Sequence, residues 1–307
     1  MDKKAFKTLE EQVEILKERN LLFNDEVVAL QFLARENYYK VMTSYKGLFL
    51  DKQEKETYLE GTNFEDIKNL YLLDRDLKSL YLKYLLIVEN RFKAILSYEF
   101  NSAFPQKYAY LNLDSFDKQD YKKVLKVITN ILNVIYSKLD QNGPIKEYLT
   151  IYENIPFWVL VNYFTIGNVY YFYDVLTEEV KRKISINISN YYNIEHNSTH
   201  QIWHTEIQSL IKVIKELRNL CAHDDKLYDY KIKSLKLPKI VKGLIGDKLN
   251  SEHILIFIPF SKILLTRNEY RDFTTDLKEL IRKYEKSFSS NTFTKIIAEM
   301  GYASHSQ

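Results

Sequence analysis

Apolar side chains recur along this chain every three or four residues, which is the spacing of one face of an α-helix rather than of a β-strand. Thr62 and Glu65 have the spacing of a capping box, in which each side chain bonds the backbone N–H of the other residue. They precede the longest apolar stripe, which continues to about residue 100. The pattern therefore predicts one very long helix over 62–100. Its stripe begins with Ile67, Leu70, Tyr71, Leu73, Leu77, Leu80 and Tyr81.

The same spacing predicts helices in most of the remaining chain. Asn24 is a candidate N-cap for the second of them, because its side-chain oxygen can accept from a free N–H of the first turn. Ser198 and Gln201 form a candidate capping box for the helix that leads to residue 223. The other predicted helices lie at about 6–19, 25–34, 117–139, 251–266, 270–287 and 291–299.

The domain organisation is predicted from three further segments and from the absence of a clear linker. Residues 154–176 are apolar on nearly all faces, so we expect them in the core. Residues 51–61 are charged and irregular, and 243–250 are predicted to form a loop. No internal repeat is visible. We therefore predict an all-α fold with residues 1–60 as a helical appendage to a helical domain over 61–307, or one composite domain throughout.

Composition supports this fold class and excludes several functions. Seven glycines and five prolines are few for 307 residues, which favours long uninterrupted helices. Cys221 is the one cysteine, so a disulfide framework and a cysteine-ligated zinc site are excluded. The start of the chain shows no apolar signal segment, and no run reaches about 18 apolar residues. We therefore expect a cytoplasmic protein with no membrane partner.

Charge and aromatic content leave the partner open. The net charge of +3 is too small to indicate nucleic-acid binding by itself. The chain has 25 tyrosines and 17 phenylalanines, which is a high aromatic content. Most of them are expected at half-buried helix positions, and the alternative is that some form platforms on which bases stack.

The stretch LRNLCAHDDKLYDY, residues 217–230, contains the candidate chemistry. At 100° per residue, Arg218, Asn219 and His223 fan over about 140° of one helix. They lie beside the apolar stripe and not within it, so their side chains can converge on a cleft at the helix edge. The predicted stripe consists of Leu210, Val213, Ile214, Leu217, Leu220 and Cys221.

These residue types suit RNA cleavage without a metal ion. A histidine can remove the proton of a ribose 2′-hydroxyl or donate one to the 5′-oxygen. An arginine can hold the phosphate and stabilise the charge of the transition state, and an asparagine can position either group. The Arg–His spacing alone is unspecific, because a histidine at a helix C-terminus also interacts with the helix dipole.

Five blocks of sequence resemble the Abi family of bacterial abortive-infection proteins, in the AbiD/AbiF group, and they occur in the family's order along the chain. LRNLCAHDDKLYD resembles the family segment RN-x-C/A-A-H-x-x-R-L-W/Y-N. Residues 6–50 resemble the family's opening segment, and 155–173 resemble its P-x-W-V block. MGYASH, residues 300–305, resembles its closing segment. The block 61–98 contains the expected Phe64, Asp74, Arg75, Glu89 and Arg91.

The resemblance places the chain in the HEPN superfamily, whose members are typically helical ribonucleases or RNA-binding proteins. It implies an HEPN-like bundle with Arg218, Asn219 and His223 as the catalytic motif. Glu89 and Arg91 are implied as supporting residues on an earlier helix. The chain departs from the family pattern at three positions, where Lys226 replaces an arginine, Tyr228 a tryptophan, and Ile166 the phenylalanine of an FG turn.

Two other groups of residues are candidates for binding. Lysines and tyrosines alternate after the motif, and this segment is either a solvated loop or a phosphate-binding segment. Its candidate RNA-binding residues are Lys226, Tyr228, Lys231 and Lys233. His196, His200 and His204 have a spacing that a metal could use, but Ser198 as N-cap would leave His196 outside the helix. We expect no metal site and no cofactor.

The resemblance implies an antiphage protein that cleaves RNA on infection. Two alternatives are a non-catalytic regulator that binds a small non-coding RNA, and an interaction module for a phage trigger. We also predict a homodimer, because cleavage needs one group to remove a proton and another to donate one. No other histidine in the chain has an arginine at the required spacing. A twofold axis would bring two copies of residues 218–223 together.

Overall fold

The computed structural model describes residues 6–54, 56–245 and 249–302. In these residues thirteen α-helices are joined by turns, loops and short 3-10 or π-helical segments, and the only β-type pairing is isolated bridges. The predicted all-α multi-helix bundle is confirmed. The helices are α1 Leu9–Glu18, α2 Glu26–Glu36, α3 Phe64–Ala103, α4 Tyr121–Leu139, α5 Pro144–Tyr152, α6 Phe157–Leu160, α7 Ile166–Asp174, α8 Glu178–His196, α9 His204–Ala222, α10 Lys239–Ile245, α11 Phe257–Ser261, α12 Arg267–Glu285 and α13 Ser290–Met300.

Helix α3 is the axis of the molecule. It has 40 residues, so it is about 60 Å long at 1.5 Å per residue. It packs mainly against α9, α12 and α8, and its buried face includes Leu77, Tyr81, Leu85, Val88 and Phe92. None of the described helices is both long enough and apolar enough to span a bilayer.

The predicted long helix is confirmed, but its start is one residue later than expected. Asn63 is the N-cap and forms the capping box with Asp66, in place of Thr62 with Glu65. The backbone explains the shift, because Leu22 N–H donates to the Thr62 carbonyl and Phe64 N–H donates to the Leu22 carbonyl. This pairing holds Thr62 in an extended segment that ends before the helix.

The N-terminal segment packs directly on the first half of α3. The ring of Phe32 contacts Phe64, and the ring of Tyr45 contacts Tyr71, with centroids 6.1 and 5.4 Å apart. The N-terminal segment is thus in direct contact with the long helix. The predicted N-cap of α2 is wrong by one residue, because Asp25 accepts from Val28 N–H at 3.0 Å. The side chain of Asn24 instead accepts a hydrogen bond from Asn63.

Residues 154–176 lie in the core, as predicted. Phe157 and Phe172 stack at 4.6 Å between centroids, and Phe100 of α3 contacts both rings. The segment is not one helix, since α6 passes into a 3-10 turn, Val161–Tyr163, before Thr165 caps α7. The expected burial fails at Trp158 and Tyr171, whose side chains are 56% and 47% exposed.

The start of the motif helix was predicted five residues too early. Helix α9 begins at His204, and its N-cap is Trp203 rather than Ser198. The segment before it is extended because the backbone of Ile202 is bonded to α8: its N–H donates to the Ser189 hydroxyl at 2.9 Å. Helix α8 itself was not predicted, since its many Ser and Asn residues dilute the apolar pattern.

The C-terminal region differs in detail from the prediction. Helix α10, Lys239–Ile245, occupies the first part of the predicted loop 243–250, and residues 246–248 lie outside the described residues. In place of one helix over 251–266 there are a 3-10 turn, Ile254–Ile256, and the short α11. Helix α12 starts three residues early because Thr266 and Glu269 form a capping box. Of the segment MGYASH, the part beyond Tyr302 is outside the described residues.

Candidate functional site

Helix α9 presents the motif at the edge of its buried face. Leu210, Val213, Ile214 and Leu217 are fully buried, Cys221 is nearly so, and Leu220 is half-buried. Burial raises the pKa of the Cys221 thiol to about 12, so this thiol is neutral. Arg218 and Asn219 are half-buried and His223 is exposed. The three motif residues thus lie beside the apolar stripe, where the helical wheel placed them.

Arg218 contacts a buried ion pair on α3. Its Nε lies 3.3 Å from Oε2 of Glu89, and Glu89 Oε1 lies 2.7 Å from the ammonium of Lys93. Lys93 also donates to the Phe164 carbonyl at 2.7 Å, which connects α3 to the turn before α7. Glu89 and Lys93 are 3% and 7% exposed, so the pair is held in a low-dielectric environment.

The Arg218–Glu89 contact is an ion pair by distance but not a hydrogen bond by angle. Arg218 Nε and Glu89 Oε2 are both buried and without a hydrogen-bond partner within the described part of the chain. We regard the contact as electrostatic, since 3.3 Å between opposite charges at a buried site is strongly attractive. Two cations surround one carboxylate, so the cluster has a net charge of +1. Arg218 is 27% exposed and can bind an anion with its outer nitrogens.

His223 caps the C-terminus of α9. Its backbone N–H donates to the Asn219 carbonyl at 2.9 Å, and the next residue, Asp224, adopts a left-handed conformation with φ of 56° that ends the helix. The ring is exposed and makes no hydrogen bond with any residue that the structure describes. It is therefore accessible to a substrate.

A second buried charge cluster anchors the chain just after His223. Asp74 on α3 is fully buried and accepts from the backbone N–H groups of Leu227 and Tyr228, at 3.1 and 2.6 Å. It also accepts from the Tyr45 hydroxyl at 2.7 Å. Lys78 lies 3.3 Å from this carboxylate. Burial raises the pKa of the Asp74 carboxyl, and the Lys78 ammonium and the donated hydrogen bonds oppose the rise.

Lys78 extends this cluster to the residue beside His223. Its ammonium is 2.5 Å from Asp224, and Lys40 from the N-terminal segment pairs with the same carboxylate. Lys78 is 3% exposed, and among the described residues its ion-pair partners are Asp74 and Asp224. The end of α9 is thus fixed both by α3 and by the segment between α2 and α3.

The supporting residues predicted on α3 separate into two groups. Glu89 contacts Arg218 of the motif. Arg91 lies on another side of α3, where it donates to the Leu264 carbonyl and to Glu269 at 2.9 Å. Its guanidinium also lies over the ring of Tyr191. Arg91 therefore attaches α12 to α3, and its expected support of the motif is corrected.

The predicted RNA-binding residues also differ in accessibility. Lys231 and Lys233 are exposed. Lys226 pairs with Asp229 at 2.6 Å. Tyr228 is 2% exposed and stacks on Tyr45, so its ring is not available to a base and the prediction for this residue is corrected.

Sequence reasoning assigned no role to Asp74, Lys78 or Lys93. The signal was present, because Glu89–Lys93 and Asp74–Lys78 are opposite charges four residues apart on a helix. Both pairs fall on the buried side of α3, where a charged side chain requires a partner. A charge pair within an apolar stripe is thus a feature that could have located the site.

The three histidines at 196, 200 and 204 have separate partners. His196 Nε2 hydrogen-bonds the Lys262 carbonyl at 2.9 Å. His200 contacts the Ser198 hydroxyl, and His204 lies 2.9 Å from Glu178. As expected, His196 is on a different helix from His204. Among the described residues, no three His, Cys, Asp or Glu side chains are grouped so that they could hold a metal ion.

Comparison with known proteins agrees with the resemblance seen in the sequence. The family described as "Abi-like protein" matches residues 31–229, from within α2 to just after the motif. This range contains every member of both buried charge clusters, including Lys40, Asp74, Glu89, Arg218 and Asp224. No curated protein and no solved structure matches the chain. The match supports a role in abortive infection, which is a defence against phage. It covers well over half of the chain, which therefore belongs to the Abi-like protein family.

Proposed function

We propose that this protein is a metal-independent endoribonuclease of the HEPN type, in the AbiD/AbiF group, that cleaves RNA during phage infection. The observation that supports this most directly is the position of Arg218. Its Nε is held against the buried Glu89, its outer nitrogens can reach solvent, and the exposed His223 ends the same helix. A phosphate can bind Arg218 while the imidazole reaches an adjacent oxygen.

The proposed reaction is an internal transfer at phosphorus. The 2′-oxygen of one ribose forms a bond to the adjacent phosphorus, and the bond from phosphorus to the 5′-oxygen breaks. A base removes the 2′-hydroxyl proton and an acid donates a proton to the leaving 5′-oxygen. The guanidinium of Arg218 stabilises the added negative charge of the transition state, and Asn219 orients the phosphate or the imidazole. The products are a 2′,3′-cyclic phosphate and a 5′-hydroxyl.

The nature of these ends provides the test of the proposed function. The purified protein is incubated with a single-stranded RNA in the presence of EDTA, and the fragment ends are analysed by mass spectrometry. We expect cyclic-phosphate and 5′-hydroxyl ends at an undiminished rate, because every proton is moved by side chains of the protein. Ends with a 3′-hydroxyl and a 5′-phosphate, or no cleavage of any RNA, would contradict the proposal.

We further propose that the active form is a homodimer. The reaction requires an acid and a base, and each chain contributes one exposed, unbonded imidazole among its described residues. His253 is buried and hydrogen-bonds the Glu299 carbonyl at 2.7 Å, so it cannot serve as the second. An isologous interface would bring two copies of His223 to one cleft.

Light scattering at micromolar concentration should report about twice the chain mass of 36.7 kDa. Mixing Arg218→Ala and His223→Ala chains gives a further check. If the single cleft of the dimer needs Arg218 and His223 from both chains, the mixed sample should regain little activity, since the cleft of a heterodimer still lacks one arginine and one histidine. A monomer that cleaves RNA at the full rate would contradict the dimer.

A non-catalytic regulator that binds a small non-coding RNA is the second candidate. The observation that favours it is the exposed basic segment after the motif. Its lysines form no ion pair with any described residue, and it contains no acidic residue between Tyr230 and Ile245. These lysines are Lys231, Lys233, Lys236, Lys239 and Lys242. Co-purification of one intact RNA species without cleavage of any RNA would favour this candidate, and a preparation that binds no RNA would favour an interaction module for a phage trigger.

A further inference from the structure

A second basic and aromatic surface lies one helical turn before Arg218, where α4, α7 and α9 meet. The ammonium of Lys215 on α9 is 4.3 Å from the ring centroid of Tyr170 and 5.9 Å from that of Tyr171. Lys126 on α4 is 5.9 Å from the Tyr171 ring on α7. Two ammonium groups thus flank two adjacent tyrosine rings. We call Lys126, Tyr170, Tyr171 and Lys215 the Lys–Tyr surface.

The positive charge of the Lys–Tyr surface is not neutralised by any carboxylate in the described part of the chain. Neither Lys126 nor Lys215 forms an ion pair with any residue that the structure describes. The nearby carboxylate of Asp174 has other partners for both of its oxygens. One oxygen lies 3.5 Å from the ammonium of Lys123, and the other accepts a hydrogen bond from the Gln208 amide at 2.7 Å. A cation without a carboxylate partner on a ring face remains available to an external anion.

The aromatic part of the surface is accessible as well. Tyr171 is 47% exposed, although its neighbours Phe172 and Tyr173 on α7 are buried. Its ring borders a cavity of about 210 Å³, which Lys126, Val127 and Asn130 also line. An exposed ring face beside a cavity, flanked by cations, can stack on a planar group while the cations bind the anionic groups attached to it.

We propose that the Lys–Tyr surface binds a single-stranded segment of RNA, with a base on Tyr171 and phosphates on Lys126 and Lys215. This inference rests on the proposed function and extends it by assigning a path for the strand. Lys215 and Arg218 are separated by about 4.5 Å along the axis of α9, at 1.5 Å per residue, so one strand contacts both. The ligand is single-stranded because the bases of a duplex are paired and stacked on each other, and do not present a free face to a side chain.

The test measures binding of a short fluorescent single-stranded RNA to the full-length His223→Ala chain, which serves as a non-cleaving parent. Lys126→Gln with Lys215→Gln removes two charges and keeps a polar side chain at each position. We expect the slope of log affinity against log salt to fall by about 1.4, that is, about 0.7 for each lost phosphate contact. Tyr171→Leu should weaken binding about tenfold through the loss of stacking.

The matched control is Lys83→Gln with Lys283→Gln. It removes the same charge from two exposed lysines that also lie over tyrosine rings, at 4.7 and 4.8 Å, but are paired with Asp276 and Asp76. The control should bind RNA as the parent does. If both double variants weaken binding equally, the effect is one of net charge and the assignment of the Lys–Tyr surface is overturned.

The remaining outcomes separate this inference from the proposed function. A parent that binds no RNA at low salt overturns both. A parent that binds RNA, with a Lys126/Lys215 double variant of equal affinity and slope, overturns the inference alone. Cross-linking of the parent to RNA that contains 4-thiouridine gives a result even where a variant fails to fold. We expect the modified peptide to contain Tyr171, and cross-links confined to other peptides would place the strand elsewhere.

Discussion

His223→Ala and Arg218→Ala should each lower the rate of RNA cleavage by about a hundredfold to ten-thousandfold, while the protein remains folded. The first change removes an acid–base group, whose usual contribution is of this size. The second removes the cation that stabilises the phosphorane charge, which has a comparable effect. Both residues lie beside the buried stripe of α9, and His223 is exposed, so the helix retains its packing. Initial rates with one RNA substrate measure the loss, and circular dichroism measures the helix content.

Two substitutions serve as matched controls for the motif. His200→Ala removes another exposed histidine, and Arg271→Ala removes an arginine whose side chain is 70% exposed. Neither residue contacts the motif, so both variants should cleave at the rate of the unaltered protein. Full activity of His223→Ala and Arg218→Ala would exclude the motif from the mechanism. Loss of helicity in either variant would indicate a structural role instead.

Arg218→Lys tests how the arginine acts. Lysine retains the charge but lacks the planar guanidinium, so it cannot contact Glu89 and a phosphate at the same time with fixed geometry. We expect a loss of rate close to that of Arg218→Ala. Nearly full activity of Arg218→Lys would show that the charge alone is required.

Asp74→Ala should have the largest effect on stability, about 3–5 kcal/mol, which is the usual result of removing one member of a buried ion pair. The change leaves the ammonium of Lys78 buried with only Asp224 beside it. It also leaves the N–H groups of Leu227 and Tyr228 without their acceptor. Urea unfolding measures the free energy, and hydrogen exchange at 224–230 should show the loss of protection.

The control for Asp74 lies two residues further along the same helix. Asp76 is 32% exposed and pairs with Lys283, so Asp76→Ala should cost about 0–1 kcal/mol. The double variant Asp74→Ala with Lys78→Met should be less destabilised than the sum of the two single variants, since it leaves no unpaired buried charge. Additive effects would contradict the proposed coupling, as would an Asp74→Ala variant as stable as Asp76→Ala.

The site itself shows how far a local pattern can predict a structure. The wheel of α9 placed Arg218 and His223 beside the buried stripe, because the direction of a side chain on a helix follows from its position in the sequence. The same wheel carries no information about what Arg218 contacts. The resemblance to the family indicated Glu89, and its pair with Lys93, four residues further along α3, was open to sequence reasoning but was not used. The Phe164 carbonyl joins the cluster from a distant part of the chain, so no local pattern could have predicted its contact with Lys93.

Helix starts show the same limit. Asn63 caps α3 and Trp203 precedes α9, although Thr62 and Ser198 have equally good capping spacings in the sequence. At each helix start, two nearby positions could serve as the N-cap. The hydrogen bonds that Leu22 and Ile202 form with residues outside the helix determine which position is used. Cap chemistry therefore predicted that a helix begins, and the tertiary contacts determined at which residue.

The sequence by itself determined the helical class, the long α3 and the position of the motif at the edge of α9, because helical periodicity depends only on residues three and four apart. Three features were decided by the tertiary structure alone. Asp74 accepts hydrogen bonds from the backbone N–H groups of Leu227 and Tyr228, Arg91 connects α12 to α3, and Tyr228 is buried. These are contacts between segments far apart in the chain. They depend on how the buried faces pack against each other, and the residue pattern of one helix does not specify which other helix packs against it.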